Sequence, residues 1–396
     1  MFNYGFVYFI LIFLFFLIGI KIKENHINIY FVLMDFLVST MSFFIQPVSF
    51  YYTDMERFNA LLSTSRTMNE LSGFFSGFDW LSVSSEYVGQ PLVCAYIWLL
   101  SFFKYNNWFF AITTFIFIGC FFIVIRLLQN KFKYSNVSLI SASSLFFLYF
   151  NLFFEIEGIR NFLAFIMIVL GFCYDIYYGK KFFSIFIYIL AILMHPSAIM
   201  IVAIIFGLKV IQYIKINSNI SLIKIFGLIL LFSNYIILFI SKILPPSQGR
   251  FLQVIQGKSD GYVSGNSTFQ AYASGTEILV TSILFVFLIF SVFCAYRIGK
   301  KNGILDIKNT NYFNFIFLLI SFNIGSFQST QIYLRVVMLI LFLTLPLLSY
   351  ILSNNNSRFF NFVYILLILA VALITSYYWY VVSYGHLFIN FSNLIQ

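Results

Sequence analysis

Arg160 stands in a short polar break, Glu155-Ile156-Glu157-Gly158-Ile159-Arg160, between two long apolar runs. A guanidinium at the mouth of a membrane helix can fork onto two phosphate oxygens, a geometry that lysine's point charge does not match. A second break, His195-Pro196-Ser197-Ala198, interrupts a later apolar stretch. Its histidine has an unperturbed pKa near neutrality and can take a proton from a hydroxyl. Arg250 in a polar segment, and Arg335 opening an apolar span beside Gln331 and Tyr333, are further candidates for holding negative charge. Asp54-Met55-Glu56-Arg57 follows the second apolar run. Helical spacing would put Asp54 and Arg57 on one face, where the plainest outcome is a local ion pair.

Each candidate also has a structural reading. Arg160 has Glu155 and Glu157 within reach as ion-pair partners, and His195 before Pro196 could be a helix-turn histidine held by backbone carbonyls. Ser274-x-x-Glu277 fits a capping box, which assigns Glu277 to structure. Asp35 lies inside an apolar span and reads as a helix-packing or relay residue. Glu70, Asp79 and Glu86 make no metal-ligand cluster, and Cys94, Cys120, Cys173 and Cys294 all fall in hydrophobic segments without ligand spacing. No metal and no cofactor is expected.

These residues must be positioned by membrane helices. The 396-residue chain is 61% hydrophobic and 9% charged, with a mean hydropathy of +0.95, which excludes a soluble domain. A span needs roughly 20 apolar residues. Apolar runs cover about 4–20, 28–50, 107–128, 136–154, 159–178, 182–194, 197–213, 219–242, 276–296, 311–328, 332–351 and 360–382. The expected fold is therefore an all-α polytopic membrane protein of about twelve transmembrane helices, forming a single domain over 1–396. The run 91–103 is too short to span and reads as an interfacial or re-entrant helix. The 56 Phe and 27 Tyr are scattered, as lipid-facing residues would be. Nucleic acid is not an expected partner, because the net charge of +10 comes mostly from short loops beside the spans.

Charge orients the bundle. With basic clusters at Lys21/Lys23, Arg126/Lys131/Lys133, Lys180/Lys181, Lys209/Lys215/Lys224, Arg297/Lys300/Lys301/Lys308 and Arg358 placed inside, fifteen Lys and Arg lie inside and eight outside. The N-terminus and the tail after Val382 then share the outer side. The first run has no basic residue before it and Lys21 and Lys23 after it, the wrong polarity for a cleaved signal peptide. Taking 182–208 as one kinked helix would export the Arg297–Lys308 cluster, so two helices meeting at His195-Pro196 are expected. From Lys181 to His195 such a helix climbs only about 21 Å, which puts the turn in an outward-facing recess. Two outer loops are long, 51–106 and 241–275, and show no obvious secondary structure. No Walker-type lysine loop and no internal repeat is present.

Gly158-Ile159-Arg160-Asn161-Phe162-Leu163-Ala164, followed by Leu190-Ala191-Ile192-Leu193-Met194-His195-Pro196-Ser197-Ala198, resembles the EpsG family, which belongs with the Wzy-type polysaccharide and O-antigen polymerases. The outer Asp54-x-x-Arg57 also fits. Gly89-Gln90-Pro91-Leu92 is a loose match, since the family more often has Glu where Gln90 stands. Arg160 to Gly171 and Arg250 to Gly261 also have the arginine–glycine spacing described for Wzy-type polymerases. The resemblance covers roughly 50–210 well and the C-terminal third only in its pattern of spans. It implies a GT-C-like, metal-independent glycosyltransferase joining repeat units carried on undecaprenyl pyrophosphate, at the outer face of the bacterial inner membrane. Arg160, Arg250, Arg335 and Arg57 would hold pyrophosphate or glycan, and His195, Glu157 or Asp54 would serve as base. Membrane lipid and a chain-length regulator are candidate partners. A flippase of the lipid-linked unit and an O-antigen ligase are the alternatives.

Overall fold

The computed structural model describes residues 2–46, 54–150, 158–214, 219–236, 239, 274–383 and 388–389. They form a bundle of α-helices: α1 (Tyr4–Ile20), α2 (Ile27–Phe44), α3 (Asp54–Ser72), α4 (Ser76–Ser84), α5 (Pro91–Leu100), α6 (Asn107–Phe132), α7 (Asn136–Tyr149), α8 (Ile159–Tyr178), α9 (Lys181–Met194), α10 (Ala198–Tyr213), α11 (Asn219–Leu230), α12 (Gly275–Lys301), α13 (Ile307–Gly325), α14 (Thr330–Asn354) and α15 (Arg358–Tyr377). Local chemistry fixes many of the ends. Ser135, Ser274, Asp306 and Ser357 each accept a backbone N–H from the first turn of the helix that follows. Gly179 ends α8 at φ +65°, a left-handed conformation that glycine adopts without a Cβ clash.

Among the described residues, six helices are long and apolar enough to cross a membrane by length and composition: Glu24–Phe44, α6, α8, α12, α14 and Arg358–Val381. Shorter apolar helices, among them α1, α7, α9, α10 and α11, complete the bundle. The molecule is an all-α polytopic membrane protein.

Contacts between elements sort the helix ends into two sets. At one end, two-residue strands β1 (Phe2–Asn3), β2 (Ile45–Gln46) and β3 (Phe388–Ile389) pair antiparallel in the order β1-β3-β2. Asn107 Nδ2 donates to the Phe43 carbonyl at 2.6 Å, and Ser274 bonds Tyr378 at 2.9 Å. At the other end, Ser138 meets Ser353 at 2.7 Å, Lys308 Nζ donates to the Tyr177 carbonyl at 3.2 Å, and Phe132 packs on Tyr312 and Tyr350. Arg57, Arg66, Lys104 and Arg160 belong to the first end. Lys131, Lys133, Lys180, Lys181, Lys301 and Lys308 belong to the second.

The chain turns back at His195-Pro196. Ser197 Oγ, at the head of α10, bonds Asn161 in the first turn of α8 at 3.4 Å, while Lys209 farther along α10 pairs with Asp175 near the far end of α8. Two ties at matching heights make α10 run beside α8, which one kinked continuation of α9 would not do. Helix α9 packs on α8 at Gly171, where an added Cβ would lie 2.8 Å from the Tyr188 ring. In the α2–α6 pair, Ser42 and Thr114 bond at 3.0 Å, and buried Asp35 takes a 3.4 Å hydrogen bond from Ser39.

The segment 51–106 departs from the expected structureless loop. Its described part is folded into α3, α4 and α5, a helical cap over the first end of the bundle. The cap hides from a hydropathy scan because the buried stripe of α3 (Met55, Phe58, Leu62, Ser65) is narrow and flanked by polar residues. Helix α5 is the short apolar helix expected there, opened by Pro91 at its first turn. Most of the second long loop, 241–275, lies outside the described residues.

Candidate active site

Arg160 is the second residue of α8, half-buried beneath the cap. Its guanidinium lies 4.2 Å from the centroid of the Tyr87 ring, and one of its terminal nitrogens donates to Gln90 Oε1 at 3.0 Å. Tyr87 and Gln90 belong to the turn between α4 and α5, shaped by Gly89 at φ +86° and closed by the Gln90 N–H on the Tyr87 carbonyl at 2.9 Å. Both residues are 1% exposed, so the arginine is gripped by a fixed surface. The other face of the cap supports this grip, with Phe58 of α3 stacked on Tyr87 at 5.9 Å. Burial pushes the Tyr87 phenol up to about 12; the Arg160 guanidinium pulls down, the Glu86 carboxylate raises, and Arg57 lowers it. Tyr87 is thus a neutral donor at physiological pH.

Gln90 and Tyr87 are the residues that sequence reasoning passed over. Gln90 drew notice only as a departure from a family pattern. Its contact with Arg160 spans 70 positions, and no local spacing announces such a contact. Among the described residues, the buried Gln90 Nε2 has no hydrogen-bond partner. Buried donors of this kind are costly unless something accepts from them.

Arg57 forms the ion pair with Asp54 that their spacing suggests, and it also bonds Glu86 at 3.1 Å. Asp54 is therefore engaged by Arg57, and Glu86, one residue before Tyr87, joins the α3 cluster to the Arg160 cluster. Electrostatic reach connects them as well, since Arg57, Glu86 and Arg160 all act on the Tyr87 phenol.

His195 is 2% exposed and forms the C-cap of α9. Its Nδ1 lies 2.6 Å from Ser197 Oγ and accepts the Ser197 backbone N–H at 3.2 Å. Ser197 Oγ also lies 3.4 Å from Asn161 Oδ1. Asn161 is the chain neighbour of Arg160, so the turn at His195 and the start of α8 form one polar region. Arg335 sits apart in the elements that hold it: it is half-buried in α14, near Tyr333, whose hydroxyl bonds Ser282 of α12 at 2.9 Å. Glu157 and Arg250 lie outside the described residues.

A family model described as the EpsG family matches residues 75–393. The chain belongs to the EpsG family. No curated protein and no solved structure matches it. The EpsG match starts at the head of α4 and takes in Gln90, Arg160, His195 and Arg335, leaving Asp54 and Arg57 upstream. Membership makes this a polysaccharide-related membrane protein, consistent with a glycosyltransferase-like polymerase.

Proposed function

We propose that this protein is a GT-C-like polymerase that joins oligosaccharide repeat units carried on undecaprenyl pyrophosphate, working at the outer face of the bacterial inner membrane without a metal. The observation that carries the reading is the Arg160 clamp. A guanidinium already stacked and hydrogen-bonded is pre-organised, and it can stabilise the charge that develops as pyrophosphate leaves. Arg335 and Arg250 are the further arginines assigned to the pyrophosphate or glycan, and Arg57 organises the cap.

In the reaction, the acceptor sugar's hydroxyl oxygen bonds to the anomeric carbon of the donor chain. The bond from that carbon to the pyrophosphate oxygen breaks, and undecaprenyl pyrophosphate departs with its electron pair. The hydroxyl proton passes to His195. The Ser197 backbone N–H aimed at Nδ1 makes that nitrogen an acceptor, so the Ser197 hydroxyl donates to it across 2.6 Å and the ring proton sits on Nε2. Nδ1 is then the basic nitrogen, and it takes the acceptor's proton through the Ser197 hydroxyl, which gives up its own proton to Nδ1 as it receives one. Glu157 and Asp54 remain the carboxylate alternatives for the base, with Asp54 weakened in that role by its Arg57 partner.

Arg160→Ala should leave the protein inserted in the membrane and reduce the cell's surface polysaccharide to single repeat units. Long-chain ladders in that strain would overturn the proposal. Loss of all exported repeat units on deletion of the gene would point instead to a flippase, and polymer left unattached to the lipid core would point to a ligase.

A further inference from the structure

A cleft of about 590 Å³ opens on the cap, lined by Arg66, Asn69, Glu70, Phe74, Phe102 and Lys104. It lies toward the far end of α3 from Arg57. Glu70 is thirteen residues on, so helical rise separates the two by about 20 Å.

The cleft is built on fixed residues. Arg66 is held by three hydrogen bonds, donating from Nε to the Ser101 carbonyl at 2.9 Å and from one terminal nitrogen to the Phe103 carbonyl at 2.6 Å and Asn106 Oδ1 at 2.7 Å. Asn69 is pinned by the Gly77 N–H at 2.8 Å. Phe74 and Phe102 stack on one another with centroids 5.0 Å apart, yet they are 59% and 47% exposed. Trp98 braces them from behind, its Nε1 donating to the Phe74 carbonyl at 3.0 Å and its ring stacked on Phe75 at 5.3 Å. Glu70 and Lys104 are exposed beside the rings.

Two exposed aromatic rings flanked by a carboxylate, an ammonium, an amide and a guanidinium suit a ligand with apolar C–H faces and a rim of hydroxyls. A sugar has both. Rings take the faces, Glu70 accepts from hydroxyls, and Lys104 and Arg66 donate to them. A bilayer face is the competing occupant, but it would set Glu70 and Arg66 against hydrocarbon, where ionised groups are expensive.

We propose that this cleft is a second carbohydrate subsite, holding the glycan along α3 at a distance from the reacting bond. It rests on the polymerase reading for the identity of its sugar, while binding itself can be measured without catalysis. The test uses the full-length protein in lipid nanodiscs, titrated with oligosaccharides released by mild acid from the host strain's own surface polysaccharide. Trp98 reports occupancy, with Trp98→Phe identifying its share of the emission. A saturable emission change is expected. Affinity should fall about five-fold or more in Phe74→Ala and in Glu70→Gln, the loss of roughly one contact of 1 kcal/mol. Glu70→Gln alters an exposed side chain and serves as the variant least able to disturb folding. The same binding should persist in Arg160→Ala protein, so the cleft and the polymerase reading can each fail alone. An unsaturable response, equal affinity in all variants, or strong quenching of Trp98 by brominated lipid tails would overturn the subsite.

Discussion

Arg160 touches an aromatic face and an amide oxygen at once, and the two contacts predict different behaviour on substitution. Arg160→Lys keeps the charge but loses the fork and the flat stacking surface, so polymerisation of purified lipid-linked units should fall roughly 10²–10³-fold, about as for loss of an oxyanion donor. Tyr87→Phe keeps the ring that the guanidinium covers at 4.2 Å and should lose little. Tyr87→Ala should cost about 0.5–2 kcal/mol of arginine positioning, read as a drop of several-fold in the same assay. At His195 the proposed relay makes a separate forecast: Ser197→Ala should lower turnover and change the pH profile while leaving substrate affinity nearly unchanged. A proportional loss at every pH would assign Ser197 to structure alone. Arg160 and His195 were legible because each sits where the apolar pattern breaks, on the side poor in positive charge. Tyr87 and Gln90 were not, because they reach Arg160 through tertiary packing.

Among the elements, the α8–α9–α10 hairpin carries both the arginine and the histidine, and its tightness depends on Gly171. A side chain there would meet Tyr188 with its Cβ at 2.8 Å. Gly171→Val should therefore cost about 1–3 kcal/mol and lower the thermal midpoint in detergent. An unchanged midpoint would mean that α9 gives way freely. The Arg160-to-Gly171 spacing noticed in the sequence thus has a packing reason at its glycine end. Long spans such as α12 and α14 were readable from hydropathy, and the Ser274-x-x-Glu277 cap from its spacing. Helices α3 and α4 were missed because their burial comes from packing on one another and on α5 rather than from an apolar run.

For the whole molecule, the two sets of helix ends give a direct test of sidedness. In a protein without its four native cysteines, Lys104→Cys should react with an impermeant maleimide in intact cells, and Lys301→Cys only after permeabilisation. The reverse labelling would put Arg160 on the cytoplasmic side, where the proposed reaction would lack its exported substrate. The three short strands add a constraint of another kind. β3 lies between β1 and β2 and is made last, so during synthesis the first two strands wait for a partner several hundred residues downstream. The strand layer thus imposes an order of assembly: the edges of β1 and β2 gain their shared partner only once Phe388–Ile389 has been made and brought back to them.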